Sequence, residues 1–170
     1  MSELLDMCYA VKTHIVPFVL NPKGGWAALP AHLKQLVDKP WAELKYFSDG
    51  TKTLNPEIQT IPNNCGGIYV FLIKPEIIPD IHLYLAYIGR AKYTHYQNLR
   101  KRVREYARET KRPKICMLKE QWGEYLYLRY LPLDNNDLID EMERELIRAV
   151  LPPFNDQYPD VYNEPMHAAF

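Results

Sequence analysis

Two short runs of β-branched and aromatic residues stand so close together that they leave the chain few choices of fold. Ile68-Tyr69-Val70-Phe71-Leu72-Ile73 reads as a buried strand closed by Pro75 and Pro79. Leu83-Tyr84-Leu85-Ala86-Tyr87-Ile88 reads as a second, ended by Gly89. Only nine residues separate the runs, too few for the crossover a parallel pair requires, so they predict an antiparallel hairpin with an irregular loop.

From Asn98 the apolar period turns helical. Leu99, Val103 and Tyr106 form a stripe at i, i+4 and i+7, and Asn98 can cap it. Tyr125 to Leu131 reads as a third strand. Asn136 or Asp137 then caps a helix that runs to about Val150, where Pro152-Pro153 stops it. This order predicts an α+β fold: a small three-stranded antiparallel sheet flanked by helices, with an N-terminal extension.

The 170 residues suit one domain. Residues 1–64 form the extension, with helical pieces from Ser2 to about Val11 and from Leu29-Pro30 to Val37. Trp26 and Trp41 are expected to pack it onto the core. The main domain spans 65–157 and a tail 158–170. Three scattered cysteines argue against a disulfide framework, and no Cys-x-x-Cys pair suggests zinc. The N-terminus has no basic n-region and no apolar run is long enough to span a bilayer, so the expectation is a cytoplasmic protein away from membranes.

A formal net charge of zero conceals a strong asymmetry. Between Arg90 and Lys114 ten basic residues face only Glu105 and Glu109, a local balance of +8. From Leu133 to Phe170 nine acids face Arg144 and Arg148, a balance of −7. A basic stretch of this kind is either a solvated helix face or the footprint of a polyphosphate partner.

Glu143 stands out within the last helix. It falls inside the stripe formed by Ile139, Met142, Leu146, Ile147 and Val150, whereas Glu141 and Glu145 fall on the outer face. A carboxylate there either snorkels to water or needs a neutralising partner, and a hard cation such as Mg²⁺ is one. Arg102 and Tyr106 share a helix face at i, i+4, where an arginine suits either a phosphate or open solvent. Tyr69 and Tyr87 read as core tyrosines. A phenol acts as a base only when positive charge lowers its pKa from ~10.

Gly67-Ile68-Tyr69 and Tyr87-Ile88-Gly89, eighteen residues apart from tyrosine to tyrosine, resemble the two signature tripeptides of the GIY-YIG nuclease superfamily. The likeness continues through Asn98-Leu99-Arg100-Lys101-Arg102-Val103. It resumes at Glu143-Arg144-Glu145-Leu146-Ile147-Arg148 and Pro152-Pro153-Phe154-Asn155, and covers about residues 65–157 in the family order. It implies a GIY-YIG fold and phosphodiester hydrolysis with Mg²⁺ or Mn²⁺. Tyr69, Tyr87, Arg102, Tyr106, Glu143 and Asn155 would be the site, and Glu143 the metal ligand. Tyr69 or Tyr87 would be the base, Arg102 would stabilise charge on phosphoryl oxygens, and Tyr106 and Asn155 would hold these groups in place. Arg90, Lys92, Arg100, Lys101, Arg104 and Arg108 would contact DNA.

Two features depart from the family pattern. Tyr93-Thr94-His95-Tyr96-Gln97 is inserted relative to bacterial excision-repair incision subunits, which makes His95 either a DNA contact or a solvent-facing histidine. Arg90 also stands where many members carry lysine. The domain without appended targeting modules looks most like a site-specific restriction or defence nuclease, and a twofold site would suggest a homodimer. A structure-selective repair or recombination nuclease is one alternative, and a binding module without turnover is the other.

Overall fold

Strand β2 (Gly66–Ile73) is buried along its whole length because strands flank both its edges and helices cover both its faces. The structure, a computed structural model, describes residues 29–48, 53–75, 77–78 and 81–159. The first expected helix and Trp26 lie outside the described residues. Such double burial explains why β2 reads as a continuous apolar run rather than an alternation.

β3 (Tyr84–Ala91) pairs antiparallel with β2, as the short spacing predicts. It runs past Gly89, which sits within the strand rather than ending it. The register skips Ala86, so the strand bulges there and leaves the Ala86 carbonyl to accept from Phe154 N at 3.0 Å. β4 (Leu126–Leu133) pairs along the other edge of β2.

The sheet has four strands, not the three expected. β1 (Ala42–Lys45), from the segment read as an extension, pairs antiparallel with β4 and gives the order β1-β4-β2-β3. Its Ala-Glu-Leu-Lys sequence is poor in strand formers, so pattern alone does not reveal it. An ionic cluster supports it instead: Glu43 lies opposite Arg129 and pairs with it, and Lys74 Nζ reaches Glu43 Oε1 at 2.5 Å.

Alternate residues of β2 enter two cores. Ile68, Val70 and Leu72 meet Leu33 of α1 (Ala31–Val37). On that face they also meet Ile139, Met142, Leu146 and Ile147 of α4 (Asn136–Val150). Tyr69, Phe71 and Ile73 enter the other core with Leu99 and Val103 of α2 (Leu99–Glu105). Ile115 and Leu118 of α3 (Pro113–Trp122) complete it. Tyr46 and Phe47 belong to this second core, and the Tyr46 hydroxyl donates to Val103 O at 2.7 Å. Trp41 packs on the first core. No helix among the described residues is long and apolar enough to cross a membrane.

Local signals set the helix ends. Asn98 caps α2 by accepting from Lys101 N, and a 3-10 turn (Tyr106–Arg108) extends that helix. Asn135, one residue before the expected cap, accepts from both Asp137 N and Leu138 N. At the far end Leu151 adopts a left-handed φ of 52°. That conformation costs a non-glycine residue roughly 1 kcal/mol or more. It turns the chain sharply, and Phe154 and Asn155 then lie along the free edge of β3.

Candidate active site

The antiparallel register places Tyr69 directly opposite Gly89, and Phe71 opposite Tyr87. Tyr69 and Tyr87 are therefore diagonal neighbours on one face of the sheet. A glycine is required at position 89 because the Tyr69 ring lies over it: a Cβ there would sit 2.6 Å from the Tyr69 oxygen and 2.7 Å from a Tyr87 ring carbon. Gly67, at φ 153°, has a second reason, since a Cβ would fall 2.4 Å from Leu131 O.

Tyr106, on the 3-10 turn after α2, joins the two strand tyrosines. Its hydroxyl lies 2.7 Å from that of Tyr69 and 2.9 Å from that of Tyr87. All three rings are buried, and Tyr69 is fully enclosed. Burial pushes the Tyr69 phenol well above its ordinary pKa, with the neighbouring phenols adding to the shift and Arg102 opposing it. Burial likewise raises Tyr87, against the opposing charge of Arg112. The expectation that nearby positive charge brings these phenols down is thus not met by the protein alone, because desolvation outweighs the arginines.

Arg102 projects from α2 beside this cluster, its guanidinium 5.1 Å from the Tyr106 ring centre and 3.0 Å from Glu105. Glu105 also accepts from Gln97, which ties the Tyr93–Gln97 loop to Arg102. Across the cleft, α4 presents Glu143 with its side chain only 21% exposed, and Arg90 Nε lies 3.1 Å from its carboxylate. Burial raises the Glu143 pKa; Arg90 counters the shift and Asp140 reinforces it. Asp140, one turn earlier, holds both Arg90 and Lys92.

Asn155 is buried and grips β3 with both ends of its amide. Oδ1 accepts from Ile88 N at 3.0 Å and Nδ2 donates to Ile88 O at 2.8 Å. The chain thus positions the residue between Tyr87 and Gly89 as a paired strand would.

These groups border a cleft of about 940 Å³ lined by Tyr87, Arg90, Arg102, Glu143 and Asn155, together with Arg112, Asp140 and Asp156. Tyr69 and Tyr106 lie behind its wall. Arg112, Asp140 and Asp156 do not emerge from sequence reasoning. Asp140 was detectable as an acid one helical turn before Glu143. Arg112 had no local mark among its basic neighbours, because its partners Tyr87 and Asp156 are remote in sequence.

The six basic residues expected to contact DNA separate into two groups. Arg90 and Lys92 are committed to α4 carboxylates. Arg100, Lys101, Arg104 and Arg108 line a second groove of about 470 Å³ with Asn63 and Asn98. Arg100 Nε donates to Ile61 O at 2.5 Å and Lys101 Nζ to Tyr96 O at 2.6 Å. None of these four forms an ion pair among the described residues. His95 is exposed and packs edge-on against Tyr96.

Among the described residues no cluster of three or more His, Cys, Asp or Glu could hold an ion. Glu143 nevertheless offers carboxylate oxygen on the cleft wall, while both oxygens of the neighbouring Asp140 are taken by Arg90 and Lys92. The Glu143 carboxylate fits a hard cation that keeps most of its shell as water and substrate oxygens, not a soft metal. No family model matches the chain, and no curated protein or solved structure matches it.

Proposed function

We propose that the chain is a metal-dependent DNA endonuclease of the GIY-YIG kind, acting as a site-specific restriction or defence nuclease. One observation carries this reading. Tyr87, Arg102, Glu143 and Asn155, far apart in sequence, border one cleft, and the Tyr106 hydroxyl ties Tyr69 to Tyr87 directly behind it.

In this reading a water in the cleft attacks phosphorus in line, and the bond to the leaving oxygen breaks. Tyr87 accepts the water's proton, since it borders the cleft while Tyr69 is enclosed. Tyr69 and Tyr106 orient it. Arg102 turns from Glu105 to the phosphoryl oxygens, where a fixed guanidinium stabilises developing charge. Glu143 would hold Mg²⁺ or Mn²⁺, which would supply electrostatic stabilisation of the phosphate and leaving oxygens. Asn155 keeps β3, and with it Tyr87, in register with α4. The groove lined by Arg100, Lys101, Arg104 and Arg108 follows the DNA backbone, because none of these four forms an ion pair among the described residues, whereas Arg90 and Lys92 serve to hold α4 against β3.

Incubating the protein and its Glu143→Ala variant with long unmethylated duplex DNA, and with single-stranded and branched DNA, tests the reading. The expected result is discrete, Mg²⁺- or Mn²⁺-dependent fragments from the wild type alone, abolished by EDTA. Cleavage confined to branched substrates would reassign the role to repair or recombination. Binding without cleavage in any metal, or equal cleavage by the variant, would overturn the nuclease.

A further inference from the structure

Arg112 is the cleft cation with the most specific environment. It stands at the N-cap of α3, where Pro113 at the first helical position fixes the backbone. Its guanidinium spreads over two aromatic rings, 5.5 Å from the centre of Tyr87 and 5.7 Å from that of Tyr106. One terminal nitrogen points to the Tyr106 hydroxyl at 3.4 Å, and the other to the Tyr87 hydroxyl at 3.5 Å. The guanidinium is anchored along its Nε edge: Nε and the same terminal nitrogen that reaches Tyr87 donate to Asp156 Oδ2 at 3.3 and 3.1 Å.

We propose that Arg112, held by Asp156, is a positioning residue that aims the Tyr87 and Tyr106 hydroxyls and supplies the positive charge Tyr87 meets when it gives up its proton. The catalytic half of this inference rests on the nuclease reading; the contact between Arg112 and the phenols does not. Bonds of 3.4–3.5 Å to neutral phenols are long and weak. They are placed to shorten once a phenol becomes an anion, because charge-assisted bonds are shorter and about twice as strong. In the resting protein the Tyr87 O–H bond is intact. Its proton leaves to solvent, the phenolate then takes a proton from the attacking water, and Arg112 stays protonated throughout.

Other charged or ionisable groups around Tyr87 do not substitute for this role. Tyr106 from the 3-10 turn opposes ionisation, and Tyr69 from β2 is a phenol that brings no positive charge. Arg102 from α2 is engaged by Glu105 and the Tyr106 ring. On the far wall, Arg90 is neutralised by Asp140 and Glu143 of α4. Asp156, from the segment after α4, offsets part of the Arg112 charge, but Arg112 keeps its contact with the Tyr87 ring and hydroxyl and still opposes the rise in the Tyr87 pKa.

The test uses the full chain with Arg112→Gln and Arg112→Lys. Incorporation of fluorinated tyrosine, whose phenol ionises at accessible pH, lets Tyr87 be titrated by fluorine NMR without metal or DNA, with Tyr87→Phe identifying the signal. Arg112→Gln is expected to raise the Tyr87 midpoint by about one pH unit or more. Arg112→Lys, which keeps the charge but reaches one partner at a time, should fall between Gln and wild type. In cleavage assays kcat should fall roughly 10- to 100-fold below the midpoint with KM nearly unchanged, and the rising limb of the pH profile should move to higher pH. A midpoint and a kcat profile that stay put in a folded Arg112→Gln protein would overturn the proposal while leaving the nuclease intact. If the glutamine variant does not fold, Arg112→Lys decides: a lysine protein identical to wild type in both measurements overturns it. A wild type that cleaves nothing would sink the nuclease reading, and the fluorine titration would still decide the contact.

Discussion

Replacing Asn155 with alanine removes two hydrogen bonds to one residue at once. Ile88 is buried, and its N–H and C=O both point at the Asn155 amide, away from β2. Each orphaned group costs ~1–3 kcal/mol, and water entering from the adjacent cleft offsets part of this. A net loss of about 3 kcal/mol follows. For a domain of this size ~1 kcal/mol moves the melting temperature by ~2–4 °C, so melting should fall by roughly 6–12 °C. Thermal and urea unfolding followed by circular dichroism measure this, and the urea midpoint should drop with the slope unchanged.

Asn155→Asp sharpens the test. An ionised aspartate still accepts from Ile88 N but turns a second acceptor towards Ile88 O. Once protonated it can donate again. Its folded-state pKa is therefore raised, and the stability it contributes is present at low pH and lost as pH rises through that value. Measured against wild type at each pH, its deficit should shrink on acidification. An alanine variant within ~0.5 kcal/mol of wild type, or an aspartate deficit independent of pH, would refute the idea that this amide holds the edge of β3.

Two further outcomes are expected. Because burial raises the Glu143 pKa, ionised Glu143 destabilises the protein at neutral pH, and this penalty is relieved as pH falls through its folded value towards the ordinary carboxylate range. Glu143→Gln should accordingly melt above wild type in EDTA at neutral pH and lose that advantage on acidification; a lower melting temperature would show that the Arg90 pair dominates instead. Removing Arg104 and Arg108 together should flatten the dependence of DNA affinity on salt by about two phosphate contacts, whereas Lys92→Ala, whose ammonium already faces Asp140, should leave it nearly unchanged. Anisotropy titrations at several salt concentrations distinguish these, and equal slopes for both variants would remove the groove from the DNA path.

How much of this was readable in advance follows from where each signal resides. β2, β3 and the cap of α2 were legible because local composition and burial agree there: an apolar run between helices, and an asparagine before a helical stripe. β1 was not, since a strand held by Glu43, Arg129 and Lys74 carries no apolar alternation. α3 escaped because Lys114, Lys119 and Glu120 interrupt any clear apolar face. Glu143 stood out by its place in an apolar stripe, but Glu145, expected on the outer face, is more covered still, its side chain 14% exposed beneath Arg144 and Arg148. The basic 90–114 stretch and the acidic C-terminal stretch, read separately, looked like two opposed fields. Only the packing of α4 on β3 makes Arg90 and Lys92 partners of Asp140 and Glu143. Arg112 belongs to the same class, since all its polar partners come from other elements.

Every arginine that borders the cleft has a carboxylate against it: Arg90 has Asp140 and Glu143, Arg102 has Glu105, Arg112 has Asp156 and Arg144 has Glu145. Each carboxylate is a tethered competitor, present at an effective concentration that a dissolved monoanion does not approach. A single phosphate or sulfate must displace one such competitor for one contact, and the exchange is close to even. A strand of phosphates, if it enters the cleft as proposed, would meet several arginines in one encounter, so that after the first displacement the others would proceed without further loss of translational freedom. On the proposed reading, the cleft would therefore discriminate by valence, favouring a chain of phosphates over small anions that match a phosphodiester in chemistry but not in number.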